Sequence, residues 1–344
     1  MSTTAIPPAR RKAPPANMPP GFEAPYTSFE PRFASRDELI MVMFGIEERG
    51  GEDAALRERL LACLNADGGP VILERARMAD GFGPPTQVWF AYWSAPADYS
   101  AWRDSSGIEA VFDDAELLSS DTGLWRETCH ISLDHNETSF SRDTNLSGLV
   151  NLDDTVMGTT DIHAYWGSAR DRLVAAEDDS LDAEITVVEA DLAPAPGRRV
   201  RLKGPENCCL IRTTQDLSDT NAEQRATYVD KVRPALHEGV RDLMGNPETH
   251  NCFGMRFVEE RTDTNQPGDR TVGVGWFTSL EALEKWTHHS ATHGEIMKQF
   301  MGMVEAYRGQ PGLGLWHEVT VFPKGTVSGD YVNCVPDGKL RAAG

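Results

Sequence analysis

Nine histidines occur in the sequence, and His317 has a setting that suits chemistry. It lies in the apolar run 315–322, where strand alternation places it on the same side as Leu315, Val319 and Val321. Two interpretations are open. One is a core histidine that hydrogen-bonds a backbone carbonyl, and the other is a general acid and base that faces a desolvated pocket.

His293 is the second candidate, and it lies in the predicted helix 291–307. At helical spacing it shares a face with apolar residues that follow it, Met297, Phe300, Met301 and Val304. An imidazole among Met and Phe side chains suits a flat hydrophobic cofactor such as haem, for which histidine is a common axial ligand. An ordinary amphipathic helix that carries one histidine is the alternative.

Other chemical motifs are weak in this sequence. His289 and His293 have the HxxxH spacing that chelates zinc on one helix face, but residue 290 is Ser, so the zinc-protease pattern is absent. We find neither a glycine-rich phosphate loop nor a GxSxG nucleophile elbow. The residues alone therefore indicate a protein with two histidines on apolar faces.

The predicted elements that must position these histidines occur in the same order twice. The first set is a strand at 39–46, a helix at 53–64, a strand at 88–93 and helical turns at 99–112. The second set is a strand at 207–213, a long helix at 221–244, strands at 255–259 and 272–277, helices at 280–286 and 291–307, and a strand at 315–322. Two α+β halves are therefore predicted, each a sheet backed by helices.

The regions between these elements suggest boundaries. Residues 1–37 hold eight of the 21 prolines, which predicts an extended arm that either hangs free or wraps a neighbour. The polar stretch 191–199 predicts the boundary between the halves. Residues 139–160 are rich in Gly, Asp, Asn and Thr, and we expect a long loop there.

Composition excludes several classes of partner. The 33 basic and 53 acidic residues give a net charge of −20, which argues against nucleic acid and against an anionic membrane surface. No apolar run approaches the ~18 residues of a spanning helix. Six scattered cysteines without a CxxC pattern are expected to be reduced, and no signal peptide is recognisable, which favours the cytoplasm.

Several segments, taken in order, resemble the haem-containing aldoxime dehydratases. They cover most of the chain between residues 39 and 340, namely 44–50, 126–127, 137–138, 163–172, 210–216, 292–293, 315–319 and 331–334. Each segment is short, but their joint order is specific. The resemblance implies an α+β fold of the dimeric α+β barrel type, with two ferredoxin-like halves and helices packed around the sheets. With the boundaries above, it implies an arm at 1–37, a first half at 38–190 and a second half at 191–344.

The same resemblance implies roles for individual residues. His293 matches the proximal histidine that ligates the iron of haem b, and His317 matches the distal catalytic histidine. Arg172 and Glu137 match polar residues that support the distal site. Thr213 falls where the family usually has a serine that hydrogen-bonds the substrate hydroxyl, so a hydroxyl is kept on a stiffer, β-branched side chain.

The implied reaction is the dehydration of an aldoxime, R–CH=N–OH, to a nitrile and water, with the oxime nitrogen bound to ferrous haem and His317 acting as acid and then as base. Two other functions stay open at this point, a peroxidase-like haem enzyme on the same barrel and a non-catalytic haem-binding protein. The resemblance and the proline-rich arm also favour a homodimer.

Overall fold

Thirteen β-strands form one antiparallel sheet in the residues that this computed structural model describes, 6–51, 53–183, 194–309 and 311–340. In chain order they are β1 (Ser28–Phe33), β2 (Glu38–Glu48), β3 (Ile72–Met78), β4 (Thr86–Trp93), β5 (Thr122–Ser132), β6 (Asn136–Phe140), β7 (Thr155–Thr160), β8 (Arg199–Lys203), β9 (Cys208–Asp216), β10 (Cys252–Arg261), β11 (Pro267–Phe277), β12 (Gly314–Phe322) and β13 (Val327–Val332).

The helices connect these strands and cover the sheet. They are α1 (Ala54–Leu64), α2 (Pro96–Ser105), α3 (Ile108–Phe112), α4 (Ser168–Arg172), α5 (Ala222–Thr227), α6 (Arg233–Gly245), α7 (Pro247–His250), α8 (Leu280–His289) and α9 (Ala291–Ala306). Side-chain capping explains where α1, α8 and α9 begin. The side chains of Asp53, Ser279 and Ser290 accept backbone N–H groups at the starts of α1, α8 and α9.

The strand order repeats along the sheet. In the first set, β2, α1, β3, β4, the pair α2–α3 and β5 follow each other in the chain, and the strands lie in the spatial order β5-β2-β4-β3. The later set lies in the equivalent order β12-β9-β11-β10. β3 and β10 are the outermost strands of their own sets, and they pair with each other, which joins the two sets into one sheet. The repeated order of elements predicted from the sequence is therefore present, and the fold is a mixed α and β structure.

The sheet curls so that its two sets share one core. Arg212 on β9 contacts the hydroxyl of Tyr92 on β4, although several strands separate β9 and β4 in the sheet. Likewise, the indole Nε1 of Trp276 on β11 lies 2.9 Å from Glu127 on β5. These contacts close the inner face, and α1–α3 and α8–α9 lie on the opposite face.

Three sequence-based expectations differ from the structure. Folded structure begins before residue 39, because β1 pairs with β6 and β7 inside the expected arm. The expected loop 139–160 contains the end of β6, a short 3-10 turn and β7. The expected helix 221–244 is divided by a π-helical turn at Tyr228–Val232, which precedes Pro234. Proline has no N–H to donate and its ring crowds the preceding turn, which explains the irregularity.

Strands from each part of the chain extend the sheet beside the other part. β8 and β13 lie at the end that carries β5, whereas β6, β1 and β7 lie beyond β12. The predicted boundary at 191–199 falls partly on residues 191–193, outside the described residues. The division into 1–37, 38–190 and 191–344 stays a prediction.

Two expectations from composition are also addressed by the structure. All six cysteines are buried as thiols. Within the described ranges, no helix is both long and apolar enough to cross a membrane.

Candidate functional site

The register of four strands brings His317 and Thr213 together. Paired residues of antiparallel strands lie side by side on the same face. His317 pairs with Ser139 on β6 and with Thr213 on β9, and Thr213 pairs in turn with Gly273 on β11. In the next row of the same face, Val319 pairs with Glu137. Three of the predicted site residues, His317, Thr213 and Glu137, are therefore neighbours on one face.

Burial along these strands shows where the face is open. On β12, Leu315 and His317 are half-buried while the residues that alternate with them are buried. On β9, Ile211 and Thr213 follow the same pattern. Central strands are normally covered on both faces, so this patch marks a recess in the surface of the sheet rather than an edge. The side chain of His317 is 40% exposed.

Arg172 completes the group around His317. Its Nε donates to Glu137 Oε2 at 2.6 Å, its Nη1 donates to the carbonyl of Ile162 at 2.5 Å, and its Nη2 lies 2.9 Å from His317 Nε2. The side chains of Arg172 and Glu137 are only 3% and 1% exposed. This buried ion pair fixes the guanidinium, and the guanidinium in turn fixes the imidazole.

These contacts determine how His317 holds protons. A guanidinium can only donate, so His317 Nε2 accepts from Arg172 and the neutral ring carries its proton on Nδ1. Removal from water lowers the pKa of His317, the carboxylate of Glu137 opposes that shift, and the charge of Arg172 adds to it. When the ring gains a second proton, on Nε2, the charge of Glu137 Oε1, 3.7 Å from that nitrogen, stabilises it.

His293 reaches this face on the helix pair α8–α9. Phe277 lies on the face of Thr213 because it pairs with Cys209 in the same register, and its ring is 6.4 Å from that of Trp286 on α8. Trp286 then meets His293 edge-on, with ring centroids 5.0 Å apart. The site is therefore bounded by the sheet on one side and by α8 and α9 on the other.

The space beside His293 fits a flat, apolar prosthetic group. Burial lowers the pKa of His293, which favours the neutral, ligating form of the ring. Its buried Nδ1 has no hydrogen-bond partner within the part of the chain that the structure describes. On the same helix, Met297 and Met301 keep 40% and 51% of their surface exposed, so the described residues leave this apolar stripe partly uncovered. These donors and surfaces suit haem with His293 as the axial ligand of the iron.

The two sets of strands differ at this point. The helix-facing residues of β4 are Trp89, Ala91 and Trp93, which pack with α1–α3 in a closed core. On β11 the helix-facing positions before Phe277 are Gly273 and Gly275. A Cβ at Gly273 would lie 3.1 Å from Thr213 Cγ2 and 3.2 Å from Met255 Cε, so it would displace Thr213. Among the described residues, the half-buried positions Thr213 and His317 thus lie on β9 and β12, beside strand β11, whose glycines let the side chains of Thr213 and Met255 approach it closely.

The zinc alternative finds no support in the described ranges. No group of three or more His, Cys, Asp or Glu side chains there is arranged to hold a metal ion. His289 instead stacks on His288, with centroids 4.4 Å apart.

Sequence reasoning missed several residues of the site. The alternation of Gly273 and Gly275 in a strand is a signal for close approach on one face. Trp166, which stacks on His288 and lies 6.1 Å from His293, carries no comparable signal. Asp171, whose side chain is buried beside Arg172, was also missed because its partners come from a distant segment.

Comparison with known proteins gives consistent matches. Residues 42–338 match the family described as haem-containing dehydratase. An aliphatic aldoxime dehydratase of a Pseudomonas species is 30% identical over 334 residues, which cover 95% of this chain and 94% of the relative. A phenylacetaldoxime dehydratase of Bacillus sp. (strain OxB-1) is 27% identical over 326 residues, 94% of this chain and 92% of the relative.

The fold is also similar to solved structures. The crystal structure of an aldoxime dehydratase in complex with butyraldoxime superposes with a TM-score of 0.84 at 28% identity, over 94% of this chain and 92% of that chain. A second aldoxime dehydratase crystal structure gives a TM-score of 0.83 at 28% identity, over 95% of this chain and 93% of that chain.

Proposed function

The chain belongs to the haem-containing dehydratase family and, like its relatives, is a haem-dependent lyase of the aldoxime dehydratase type; we propose that it converts R–CH=N–OH to R–C≡N and water with His317 as acid and base. One observation carries the proposal: four side chains lie together on one face of the sheet, those of His317, Arg172, Glu137 and Thr213. The helix pair α8–α9, which bears His293, packs over the same face.

His293 would hold the haem iron through a ring nitrogen. Ferrous haem, when bound, supplies a coordination position for the oxime nitrogen and electron density that assists N–O cleavage. The protein supplies the protons, the orientation of the substrate and the exclusion of water.

His317 moves the protons in this proposal. Hydroxide is a poor leaving group, so the oxime oxygen must take up a proton as the N–O bond breaks, and the C–H proton must be removed. Protonated His317 gives its Nδ1 proton to the departing oxygen, which leaves as water. The ring then keeps its remaining proton on Nε2, on the side of Glu137, so that Nδ1 has a free lone pair and accepts the C–H proton. Nδ1 is the nitrogen available to the substrate because Nε2 faces Arg172 and Glu137. Such transfers contribute typically ~10²–10⁴-fold to a rate.

Arg172 and Glu137 set the orientation and charge of that ring. Arg172 holds the resting ring, with its proton on Nδ1, through Nε2, and the charge of Glu137 Oε1 stabilises the forms in which Nε2 carries a proton. The two charges pull the pKa of His317 in opposite directions, with burial lowering it further. Burial is the largest of these effects, so the neutral ring is favoured and the carboxylate of Glu137 opposes that preference.

Thr213 is proposed to orient the oxime hydroxyl, because it lies directly opposite His317 in the strand register. Replacement by Val keeps the shape and removes the hydroxyl. We expect Thr213→Val to lower kcat by roughly tenfold, the value of one hydrogen bond to the reacting group, whereas Thr213→Ser stays within about twofold of the wild type. Steady-state rates of nitrile formation for the two variants give the comparison. Wild-type rates in the Val variant would reduce Thr213 to a packing residue.

We also propose the finer architecture that the resemblance implies. The spatial orders β5-β2-β4-β3 and β12-β9-β11-β10 support two ferredoxin-like halves, since each places the strands in the order fourth, first, third, second. We also propose that the protein is a cytoplasmic homodimer. Light scattering of the purified protein should then give a mass twice that of one chain.

The function itself is tested on purified, haem-loaded protein. We expect aliphatic or arylalkyl aldoximes to yield nitriles under anaerobic, dithionite-reduced conditions, and ferric protein to be nearly inactive because it cannot donate electron density to the N–O bond. Gas chromatography of the nitrile, with boiled protein and free haem as controls, measures the reaction. Equal rates in both redox states would contradict the proposed binding mode, and rapid oxidation of a dye by peroxide without nitrile formation would favour a peroxidase.

A further inference from the structure

We propose that the N-terminal strap, residues 10–26, positions Arg172 through Asp171, so that Asp171 is a positioning residue of the distal site. The inference rests on the proposed function for its effect on rate, but its structural part concerns only this chain. The strap has no helix or strand of its own, and it lies against the segment 163–177 that carries Arg172.

Asp171 is the residue of this segment to which the strap hydrogen-bonds most extensively. It is 1% exposed and accepts four hydrogen bonds. Three come from the strap: the backbone N–H of Ala16 at 3.0 Å, that of Asn17 at 2.9 Å and the side-chain amide of Asn17 at 2.9 Å. The fourth comes from the hydroxyl of Tyr165 at 2.9 Å. A carboxylate bound by several donors is held strongly, and removing it leaves those donors without their partner.

Further contacts fasten the strap on either side of Asp171. Glu177 accepts the backbone N–H groups of Lys12 at 2.7 Å and Ala13 at 3.1 Å. In the other direction, the ring of Phe22 lies 5.1 Å from Tyr165, and that of Tyr26 lies 4.7 Å from His163. The strap thus follows the whole segment, from Glu177 to His163.

The helical turn α4 needs this support. It has five residues and no side-chain hydrogen bond at its N-cap, and isolated helices of that length are unstable in water. Its last three residues are anchored in three directions: Arg170 donates to Glu284 on α8 at 2.7 Å, Asp171 binds the strap, and Arg172 binds Glu137 and His317. Without the strap, the side chain of Asp171 would keep only its hydrogen bond with Tyr165 among the described contacts, and α4 would be held less firmly next to Arg172.

Gly167 shows that the strap and the turn are fitted to each other. Its φ of +88° lies in the left-handed region, and a Cβ there would come within 2.7 Å of Asn17 Cβ. A side chain at this position would therefore strain the backbone and push the strap away from Asp171.

Two variants test the proposal in the full-length holoenzyme. Asp171→Asn keeps the size of the side chain but replaces one acceptor oxygen by a donor. Asn17→Ala removes one donor from an exposed strap residue and leaves α4 unchanged, so it tests the contact even if Asp171→Asn does not fold. We expect Asp171→Asn to lower kcat roughly tenfold, the scale of a small displacement of a catalytic group, with KM and haem content nearly unchanged, and Asn17→Ala to have a smaller effect in the same direction.

A double-mutant cycle with Arg172→Ala separates positioning from general destabilisation. If Asp171 acts through Arg172, Asp171→Asn causes no further loss of kcat in the Arg172→Ala background. An equal fold-loss in both backgrounds would overturn the proposal. Asp154→Asn is the matched control, because Asp154 binds Arg36 at 2.6 Å and ties another N-terminal residue to the chain away from Arg172. It should leave the rate unchanged.

A spectroscopic readout makes the test independent of turnover. The stretching frequency of carbon monoxide on ferrous haem responds to positive charge on the distal side. We expect Asp171→Asn and Asn17→Ala to shift this frequency in the direction of Arg172→Ala, and Asp154→Asn to leave it in place. Unshifted carbon monoxide frequencies in both Asp171→Asn and Asn17→Ala would overturn the proposal. If the wild type binds haem but forms no nitrile, the proposed function fails and this frequency still decides the role of Asp171.

Discussion

His317→Ala is expected to retain haem and bind aldoxime but to form nitrile at least ~10²-fold more slowly than the wild type. Loss of the residue that donates and accepts the proton removes about 2.7 kcal/mol of transition-state stabilisation at ~1.36 kcal/mol per decade. Because the side chain is 40% exposed, its removal leaves no closed cavity, so the midpoint of thermal unfolding should change little. Haem content, the ferrous spectrum with aldoxime and the rate of nitrile formation measure the three parts of this expectation.

The chain provides a matched control for this variant. His130 on β5 has a side-chain exposure of 38% and a carboxylate partner, Glu38, at 2.6 Å, but it lies on a different part of the sheet from Thr213. His130→Ala should keep the wild-type rate. Near-normal turnover in His317→Ala, or loss of haem together with the fold, would indicate that His317 is a structural histidine and not a catalytic one.

His293→Ala is expected to lose most of its haem, and with it all measurable nitrile formation. Histidine Nε2 and Nδ1 are the strongest candidates for an axial bond on this helix, and Nδ1 is buried with no partner among the described residues. Alanine is the most favourable helix residue, so α9 should persist. The Soret absorbance per chain and the far-ultraviolet circular dichroism report these two properties separately.

Two further experiments test the role of His293 in binding haem. Imidazole added to His293→Gly should restore part of the Soret band, because it replaces the missing ligand. His289→Ala should keep its haem, since His289 stacks on His288 at the end of α8. Full haem retention with an unchanged spectrum in His293→Ala would mean that another residue ligates the iron.

Local periodicity was sufficient for several elements of the fold. The apolar run 39–46 lies within β2, and the spacing of Leu56, Leu60 and Leu64 matches the buried side of α1. The same reasoning placed His293 on α9 and His317 on β12. These features depend on residues within one or two turns of each other, so the sequence contains their cause.

Strands that pair through the N-terminal region were not predictable in the same way. β1 contains Pro31, and β7 lies in a stretch rich in Gly, Asp and Thr, so neither has a strong strand signal. They form because β1 finds partners in β6 and β7, more than a hundred residues away. Tertiary pairing overrides weak local preference in such strands.

From the sequence we could predict the candidate site residues and the faces of the local elements on which they lie. His293 was expected on an apolar helix face and His317 on an alternating strand, and a family resemblance linked the two. Three features of the site follow from tertiary contacts: His317 lies opposite Thr213, Arg172 reaches it from 145 residues away, and Gly273 and Gly275 admit the side chains of Thr213 and Met255, whereas Trp89 and Trp93 fill the equivalent face of β4. The physical reason is that alternation fixes a side chain's face, whereas strand register and the position of a five-residue turn are set by burial and hydrogen bonds between distant segments.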